Sequence, residues 1–487
     1  MKLLKDILYG VSIIDILGST LVAINSVTCD SRSVKKDSLF IAILGTKKDG
    51  NHFIKESITN GSIAILCEKL PKETNSEITY IQVKSTSEAY SIIAGNWFGR
   101  PSENLNIIGI TGTNGKTTTA NLLHQLFENN LVKSGLISTV KISIHNKNYP
   151  ATHTTPDAWD IQRHLSDMVN AGCKLVFMEV SSHGLVQNRV AGIRFRGGIF
   201  TNVSRDHLDY HKTLDNYVIA KKLLFDNLSS SAFALVNRDD KYGETMILDS
   251  KAKKISYGIA RESDIKARVL ESHIGGTLIS INQRECWMKL IGDFNVYNVC
   301  AVYGAAIELG MNADEALKII SALNPVSGRF QKIEGPKGIT GIIDYAHTPD
   351  ALEKILSSLQ KFRKPPQRII TIVGCGGDRD KGKRPQMASI ASRLSDYVIL
   401  TSDNPRSESA EKILRDMEDG LKKPDKKYCI SIVDRSQGIR LACQNANPND
   451  IILLAGKGHE KFQEIQGEKI PFDDLIILKT LLTEVQT

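Results

Sequence analysis

Residues 111–118 read Thr-Gly-Thr-Asn-Gly-Lys-Thr-Thr, and this run constrains the fold more than any other part of the 487-residue chain. An apolar stretch at residues 105–110 precedes it and predicts a buried strand, and a helical repeat of apolar residues at 122–127 follows it. A strand, a glycine-rich loop, a Lys-Thr pair and a helix are together typical of phosphate-binding sites, because loop N–H groups and a helix N-terminus both attract anions. The sequence therefore predicts a nucleotide site at this loop.

The loop residues are the expected contacts of ATP: Gly112, Thr113, Asn114, Gly115, Lys116, Thr117 and Thr118. Lys116 would reach the β- and γ-phosphates, and the Thr117 hydroxyl would bind Mg²⁺. Only Thr113 and Asn114 separate the two glycines, which is a shorter spacing than in the common phosphate-binding loop. An ordinary structural turn is therefore the alternative interpretation of this motif.

Length and composition exclude several classes of protein. A chain of 487 residues is too long for one core, and 41% hydrophobic with 24% charged residues is a globular composition. The net charge of +8 is mild, and the sequence contains no compact run of like charges, so we expect no nucleic-acid partner. The eight cysteines form no C-x-x-C pair, which predicts reduced thiols. With no signal-peptide core and no spanning apolar run, we expect a cytoplasmic protein without membrane insertion. We also expect a monomer.

Turn-forming residues divide the chain into three expected α/β domains, residues 1–100, 101–330 and 331–487. Gly-Arg-Pro-Ser at 99–102 predicts the first linker, and Pro-Val-Ser-Gly-Arg at 325–329 predicts the second. In the central domain we predict strands at residues 174–180, 198–203 and 232–237, a β-rich interval at 252–292 and a helix near 298–309. Because strand-like runs alternate with helical stretches, the sheets should be mostly parallel.

Glycine-rich or turn-forming loops follow three predicted strands of the third domain. The strands are predicted near residues 342–345, 369–373, 397–401 and 451–455, and the loops occupy residues 374–385, 403–406 and 456–460. Loops at the carboxyl ends of parallel strands share one edge of a doubly wound sheet, so these three predict one binding face. Taken alone, residues 403–406 are more simply an Asn-Pro turn.

Three further side chains of the central domain are candidates for catalysis. Glu179 ends a predicted strand beside the phosphate loop, where Mg²⁺ would be held, although a helix cap is the alternative. His207 follows the neighbouring strand, but a lone histidine is more often structural. Lys221 lies on a predicted helix at 217–225, and a solvated pair with Lys222 is the alternative there.

Taken in order, these motifs resemble those of the Mur ligase family, the ATP-dependent amide-forming enzymes of peptidoglycan precursor synthesis. The resemblance covers nearly the whole chain and rests on residues 28–32, 111–118, 178–185, 202–209, 220–221, 344–349, 376–381 and 456–460. It implies a small α/β UDP-binding domain, a central P-loop ATPase-like domain and a C-terminal Rossmann-like domain. The tetrapeptide at 403–406, Asp-Asn-Pro-Arg, resembles that of members that add diaminopimelate, whereas members that add L-lysine lack its Arg.

The resemblance also implies substrates and roles. The substrates are ATP, UDP-N-acetylmuramoyl-L-alanyl-D-glutamate and meso-diaminopimelate, with Mg²⁺ as cofactor. The implied catalytic residues are Lys116, Glu179, His207 and Lys221. The implied metal ligands are Thr117, Glu179, His207 and carbamylated Lys221. The implied further ATP contacts are Asn298, Arg329 and Asp344. The uridine nucleotide would contact Cys29, Ser31, Thr46, Lys47 and Lys48, and its peptide part His153, Thr154, Thr155, Ser181, Gln187 and Arg189. The diamino acid would contact Arg379, Asp403, Asn404, Pro405, Arg406, Gly456 and Glu460.

Four alternatives remain at the level of the sequence. The nearest is an L-lysine-adding ligase of the same family, and the next is an enzyme similar to folylpolyglutamate synthase, against which residues 28–32 and 403–406 argue. A P-loop ATPase or kinase that transfers phosphate to water or a hydroxyl is the third. A non-catalytic nucleotide-sugar-binding protein is the fourth, although Lys116 and Glu179 are both present.

Overall fold

The computed structural model describes residues 1–45, 49–422 and 428–484, which form three α/β units along the chain. Each unit is built on a sheet whose central strands are buried on both faces, the pattern of parallel strands covered by helices. The predicted three-domain α/β class is confirmed, and the boundaries at residues 100 and 330 stay predictions. Buried cysteines such as Cys67 and Cys300 are thiols, in agreement with the sequence. Within the described residues, no helix is both long and apolar enough to cross a membrane.

The N-terminal unit is a small sheet packed against short helices. Its strands are β1 (Lys2–Leu3), β2 (Ile13–Leu17), β3 (Ala23–Ile24), β4 (Ser26–Thr28), β5 (Ser38–Ile41), β6 (Ser62–Cys67) and β7 (Thr79–Val83). Its helices are α1 (Leu4–Ile7), α2 (Ile54–Thr59) and α3 (Thr86–Trp97). The main sheet has the order β2-β7-β6-β5-β4 and is parallel apart from the edge strand β2. Helix α3 begins where the Ser85 side chain accepts a hydrogen bond from the Glu88 N–H group.

The central unit carries the phosphate loop in the middle of its sheet. Its strands are β8 (Asn106–Thr111), β9 (Ser134–Ile137), β10 (Lys141–Ile144), β11 (Lys147–Pro150), β12 (Leu175–Glu179), β13 (Phe195–Phe200), β14 (Phe233–Asn237), β15 (Lys253–Gly258), β16 (Ile265–His273), β17 (Gly276–Ile281) and β18 (Arg284–Met288). Its helices are α4 (Lys116–Asn129), α5 (Ala158–Asn170), α6 (Ser182–Val186), α7 (Leu208–His211), α8 (Leu214–Asp226), α9 (Gly243–Ile247), α10 (Asp293–Glu308) and α11 (Ala313–Ala322).

The strand order of this sheet explains where the site lies. The order is β11-β10-β9-β12-β8-β13-β14-β15-β16-β17-β18, with parallel pairing from β9 to β16 and antiparallel pairing at both ends. The β-rich interval predicted at 252–292 is confirmed as β15 to β18. Because β12 and β13 flank β8, the residues that follow all three strands meet at one edge of the sheet.

The C-terminal unit is a second, mostly parallel sheet. Its strands are β19 (Gln331–Glu334), β20 (Thr340–Asp344), β21 (Ile369–Val373), β22 (Tyr397–Thr401), β23 (Cys429–Ile432), β24 (Ile451–Ala455), β25 (Phe462–Ile465) and β26 (Glu468–Pro471). Its helices are α12 (Pro349–Phe362), α13 (Lys383–Leu394), α14 (Ala410–Glu418), α15 (Arg435–Asn445) and α16 (Asp474–Glu484). The order β19-β20-β24-β21-β22-β23 is parallel from β20 onward, which places the loops after β21, β22 and β24 at one edge.

Candidate active site

The loop between β8 and α4 has a backbone that requires its two glycines. Gly112 and Gly115 have φ angles of 148° and 87°, which side chains disfavour. A Cβ atom on Gly112 would lie 1.9 Å from the Thr201 hydroxyl, and one on Gly115 would lie 2.5 Å from Asn298 Oδ1. The loop thus packs closely against Thr201, just after β13, and against Asn298 of α10, which explains why both positions lack side chains.

Asn202, two residues after the end of β13, holds this loop in place; it begins the 202–209 motif but was not among the predicted site residues. Its carbonyl accepts from the Thr113 N–H group at 2.7 Å, and its Oδ1 accepts from the Asn114 N–H group at 3.0 Å. The Asn114 side chain in turn donates to Asp350 of α12 at 2.9 Å, which links the central and C-terminal units. The loop geometry is therefore maintained by contacts from both units.

Lys116, the first residue of α4, folds back over the loop. Its ammonium group donates to the carbonyls of Gly112 at 2.8 Å and Thr113 at 2.9 Å. Burial lowers the pKa of Lys116, with the carboxylates of Glu179 and Asp206 opposing that effect. A cation at the first turn of the helix adds to the positive end of the helix dipole, so the loop is suited to an anion.

Glu179 at the end of β12 is fully buried and connects three elements. Its Oε2 accepts from the Thr117 hydroxyl at 2.9 Å, and its Oε1 accepts from the Thr139 N–H group at 2.7 Å. Arg329, which precedes β19, donates from Nη2 to the Thr117 hydroxyl at 2.9 Å. Ser181 rather than Glu179 caps the following helix α6, so the helix-cap alternative for Glu179 is wrong. A carboxylate and a hydroxyl are hard oxygen donors that fit Mg²⁺.

Lys221 and Lys222 lie side by side on α8 but in different environments. Lys222 is half-buried at the surface and makes ion pairs with Asp226 and Asp249, both at 2.6 Å. Lys221 is 1% exposed, and its ammonium group donates to the Gly112 carbonyl at 3.0 Å. Burial, with Lys116 nearby, lowers the pKa of Lys221 well below its ordinary value. The solvated interpretation is therefore wrong for Lys221, whereas Lys222 is an ion-paired lysine at the surface.

His207 lies at the same edge of the sheet, 3.4 Å from Asp206 through its Nε2 atom. Burial lowers the pKa of His207, which keeps the imidazole neutral as metal binding requires. Among the described residues, no group of three or more histidine, cysteine, aspartate or glutamate side chains is arranged to hold a metal ion. The predicted metal set instead combines Glu179 and His207 with a hydroxyl and a modified lysine, and it stays a prediction.

One cavity of about 240 Å³ joins the phosphate loop to the C-terminal unit. The predicted residues that line it are Thr113, Asn114, Gly115, Lys116, Thr117, Thr154, Glu179, His207, Arg329, Arg379, Asp403, Asn404, Arg406, Gly456 and Glu460. Four residues of the predicted motifs and loops to which no site role was assigned also line it: Asp206, Tyr345, His347 and Lys383. Residues of the three strand-end loops thus line one cavity together with the phosphate loop, and the binding role predicted for this face stays a prediction.

A larger cavity of about 560 Å³ extends from the same loop between the central and C-terminal units. The predicted residues that line it are Asn114, Gly115, Thr118, Asn298, Arg329 and Asp344. Asp344 accepts a hydrogen bond from the Phe330 N–H group at 2.6 Å, and burial raises its pKa to about 6. The Arg329 guanidinium stacks over the Tyr345 ring at 4.4 Å, so one arginine contacts both cavities.

The loop at 403–406 is more than a turn. Arg406 has a φ of 52° and donates from Nη1 to the Gly377 carbonyl at 2.7 Å, and its Nε lies 3.3 Å from Glu464 Oε2. Asn404 donates from Nδ2 to Glu460 Oε2 at 2.8 Å, and burial raises the pKa of Glu460. The loops after β21, β22 and β24 are therefore joined by side chains of the predicted amino-acid pocket.

The residues predicted to hold the peptide part form a connected group beside Glu179. Thr155 donates to the Glu179 carbonyl at 2.9 Å and accepts from the Ser181 N–H group at 2.9 Å. Arg189 donates to the Thr155 carbonyl and to Gln187 Oε1, both at 2.6 Å. The other two residues predicted to hold the peptide part do not belong to this group. His153 is exposed and contacts Thr152, and Thr154 accepts a hydrogen bond from the Thr139 hydroxyl.

The predicted uridine site is only partly within the described residues. Cys29 is exposed, and Ser31 donates to Glu56 Oε2 at 3.0 Å. Thr46, Lys47 and Lys48 lie outside the described residues. Neither Cys29 nor Ser31 lines the two cavities, so their role in nucleotide binding stays a prediction.

Three family profiles match the chain: "Mur ligase family, catalytic domain" at residues 23–97, "Mur ligase middle domain" at 110–306 and "Mur ligase, glutamate ligase domain" at 328–458. A UDP-N-acetylmuramoyl-L-alanyl-D-glutamate–2,6-diaminopimelate ligase of Cytophaga hutchinsonii is 48% identical over 480 residues, covering 98% of this chain and 99% of the relative. A protein with the same name from Bacteroides thetaiotaomicron is 47% identical over 479 residues, which cover 98% of this chain and 99% of the relative. A solved structure of an enzyme with that name has a TM-score of 0.69 at 30% identity, covering 97% of this chain and 98% of the other.

Proposed function

The chain belongs to the Mur ligase family, and we propose that it is the member that joins meso-diaminopimelate to the D-glutamate γ-carboxyl of UDP-N-acetylmuramoyl-L-alanyl-D-glutamate, converting ATP to ADP and phosphate. Relatives with nearly half of their residues identical over the full length carry that name. The observation that carries the proposal is the cavity that the phosphate loop shares with the three loops of the C-terminal unit.

The first step transfers the γ-phosphoryl group of ATP to the γ-carboxylate of D-glutamate and releases ADP. The step brings two anions together, so neutralisation of charge is the main catalytic requirement. Lys116 and the N-terminus of α4 supply fixed positive charge at the phosphate loop. Bound Mg²⁺ would add further positive charge there, with Thr117, Glu179, His207 and carbamylated Lys221 as its proposed protein ligands.

In the second step the amino group of the diamino acid attacks the carbonyl carbon of the acyl phosphate, and phosphate leaves. The amine must reach this carbon from the C-terminal unit, while water must be kept away because it would hydrolyse the acyl phosphate. The shared cavity supports this order of events, because Arg406 and Glu460 line it together with Lys116. The larger cavity, lined by Asn298 and Asp344, suits the nucleoside of ATP.

A single assay tests the proposal against its alternatives. Purified protein is incubated with ATP, Mg²⁺, the UDP-linked dipeptide and either meso-diaminopimelate or L-lysine, and products are identified by mass. We expect the tripeptide mass with diaminopimelate, and ADP release that continues beyond one turnover only when the amine is present. Equal ligation of lysine would favour the lysine-adding alternative, whereas repeated turnover of ATP to ADP without any amine would favour an ATPase or kinase. The monomeric state and the cytoplasmic location stay predictions.

We predict that Arg406→Ala lowers the use of meso-diaminopimelate much more than the use of L-lysine. Diaminopimelate carries a second carboxylate, which a guanidinium group can bind through charge-assisted hydrogen bonds. Loss of such a contact costs roughly 1.5–3 kcal/mol, so kcat/KM for diaminopimelate should fall about 10- to 150-fold. Arg393→Ala, which removes an exposed arginine paired with Glu353 on the surface, is the matched control and should retain full activity. A parallel fall for both diamino acids would contradict the assignment.

A further inference from the structure

Lys457 is a fully buried lysine just after β24, next to the residues of the proposed amino-acid pocket. Its ammonium group donates to the Phe462 carbonyl at 2.6 Å and to Asn404 Oδ1 and Glu460 Oε2, both at 3.2 Å. Asp403 Oδ1 lies 3.6 Å from the same nitrogen and has no hydrogen-bond partner among the described residues. Burying an ammonium is unfavourable unless it is paired and hydrogen-bonded, and here its side-chain partners are pocket residues.

Lys457 is one of two donors that fix how Asn404 faces the cavity. Asn404 Oδ1 accepts from Lys457 and from the Glu464 N–H group at 3.0 Å, so the amide nitrogen is directed to Glu460. Strand β21 lies between β24 and β22, and Lys457 therefore connects two loops across the end of an intervening strand. Removing the ammonium would leave the Glu464 N–H group as the one remaining donor of these two and would weaken the orientation of the amide.

The charges of the pocket are divided between two groups of side chains. Asp403 and Glu460 both face Lys457, whereas Arg406 contacts the Gly377 carbonyl and Glu464. A diamino acid presents ammonium groups as well as carboxylates and needs both kinds of partner. Without Lys457, two neighbouring buried carboxylates would repel each other, and the pKa of one of them would rise. Asp403 and Glu460 would then lose negative charge and their fixed positions, both of which are needed to bind an ammonium group of the substrate.

We propose that Lys457 is a positioning residue for the amino-acid substrate, acting through Asn404 and Glu460 rather than by touching the reacting atoms. The proposal deepens the ligase function and rests on it. It predicts a defect confined to the amino acid, because neither Lys457 nor its partners Asn404 and Glu460 line the larger cavity proposed for the nucleoside of ATP.

The test compares Lys457→Met with Arg368→Met in the complete ligation reaction. Methionine keeps an unbranched side chain but removes the ammonium, and we expect KM for meso-diaminopimelate to rise about 10- to 100-fold while KM for ATP is unchanged. Arg368 forms an ion pair with Asp450 at 2.7 Å. These residues directly precede β21 and β24, so the pair lies at the edge of the sheet opposite to the proposed amino-acid pocket. Arg368→Met should therefore leave both KM values unchanged.

Lys457→Arg provides a second variant in case the methionine variant does not fold. It keeps the buried charge, but its planar donors cannot repeat the contacts of an ammonium group, so KM for the diamino acid should again rise selectively. An unchanged KM for the diamino acid in a folded Lys457 variant would overturn the proposal, as would equal rises in both KM values. If the unmodified protein does not ligate meso-diaminopimelate, the ligase function itself fails, which is a separate outcome.

Discussion

Replacing Lys116 with alanine is expected to lower kcat for ligation by about 100-fold or more, as removal of a preorganised transition-state donor does. Lys116 begins α4 and lies over the loop that would hold the phosphates, so its ammonium group is a fixed protein cation at the proposed phosphate site. Alanine is a good helix former, so the helix itself should be retained. The measurement is the initial rate of amine-dependent ADP release.

The control for this variant must separate catalysis from folding, because Lys116 also donates to two carbonyls of its own loop. We would measure Tm and ATP affinity for Lys116→Ala beside Lys147→Ala, an exposed lysine on β11 that should behave like the unmodified protein. A folded Lys116→Ala protein with nearly normal kcat would show that the loop is an ordinary structural turn. A large loss of kcat at little changed Tm would assign the loop to phosphate transfer.

Strands of the C-terminal sheet could be predicted closely from the sequence. The predicted ranges 369–373, 397–401 and 451–455 coincide with β21, β22 and β24. Each is a short apolar run buried on both faces, with glycine, serine or aspartate after it, so the local pattern and the tertiary environment favour the same structure.

Element ends were predicted less well where a tertiary contact decides them. The strand predicted at 198–203 is Phe195–Phe200, because Thr201 and Asn202 leave the sheet to bind the phosphate loop. The helix predicted near 298–309 begins earlier, at Asp293, so that Asn298 faces Gly115 from within α10. In both cases the error lies at a functional contact whose partner is distant in the sequence.

The same limit applies to the candidate site. Motifs at strand ends predicted which segments meet, since parallel strands bring their carboxyl ends to one edge of a sheet. They did not predict pairs such as Arg329 with Thr117, or Lys457 with Asn404, because neither pair follows from local spacing. Lys457 stands between two glycines directly after an apolar strand, and that position was the available signal for its importance.

Lys221→Arg is expected to abolish ligation, by at least about 100-fold, if Lys221 acts as a carbamate. A neutral amine combines with CO₂ to form a carbamate and releases a proton, which converts a potential cation into a carboxylate that can bind Mg²⁺. The buried position of Lys221, within 3.0 Å of the Gly112 carbonyl, places such a group beside the phosphate loop. Arginine keeps the positive charge and remains protonated, so it cannot form the carbamate.

Lys222→Arg is the matched control, because Lys222 is the adjacent residue on α8 and its ion pairs with Asp226 and Asp249 can be kept by arginine. That variant should retain activity and stability. Intact mass under non-acidic conditions should show a CO₂ adduct in the unmodified protein and in Lys222→Arg, but not in Lys221→Arg, and acid should remove it. An active Lys221→Arg enzyme would exclude the carbamate. It would leave Lys221 as a buried structural cation held by the phosphate loop, and the metal set would then consist of Thr117, Glu179 and His207.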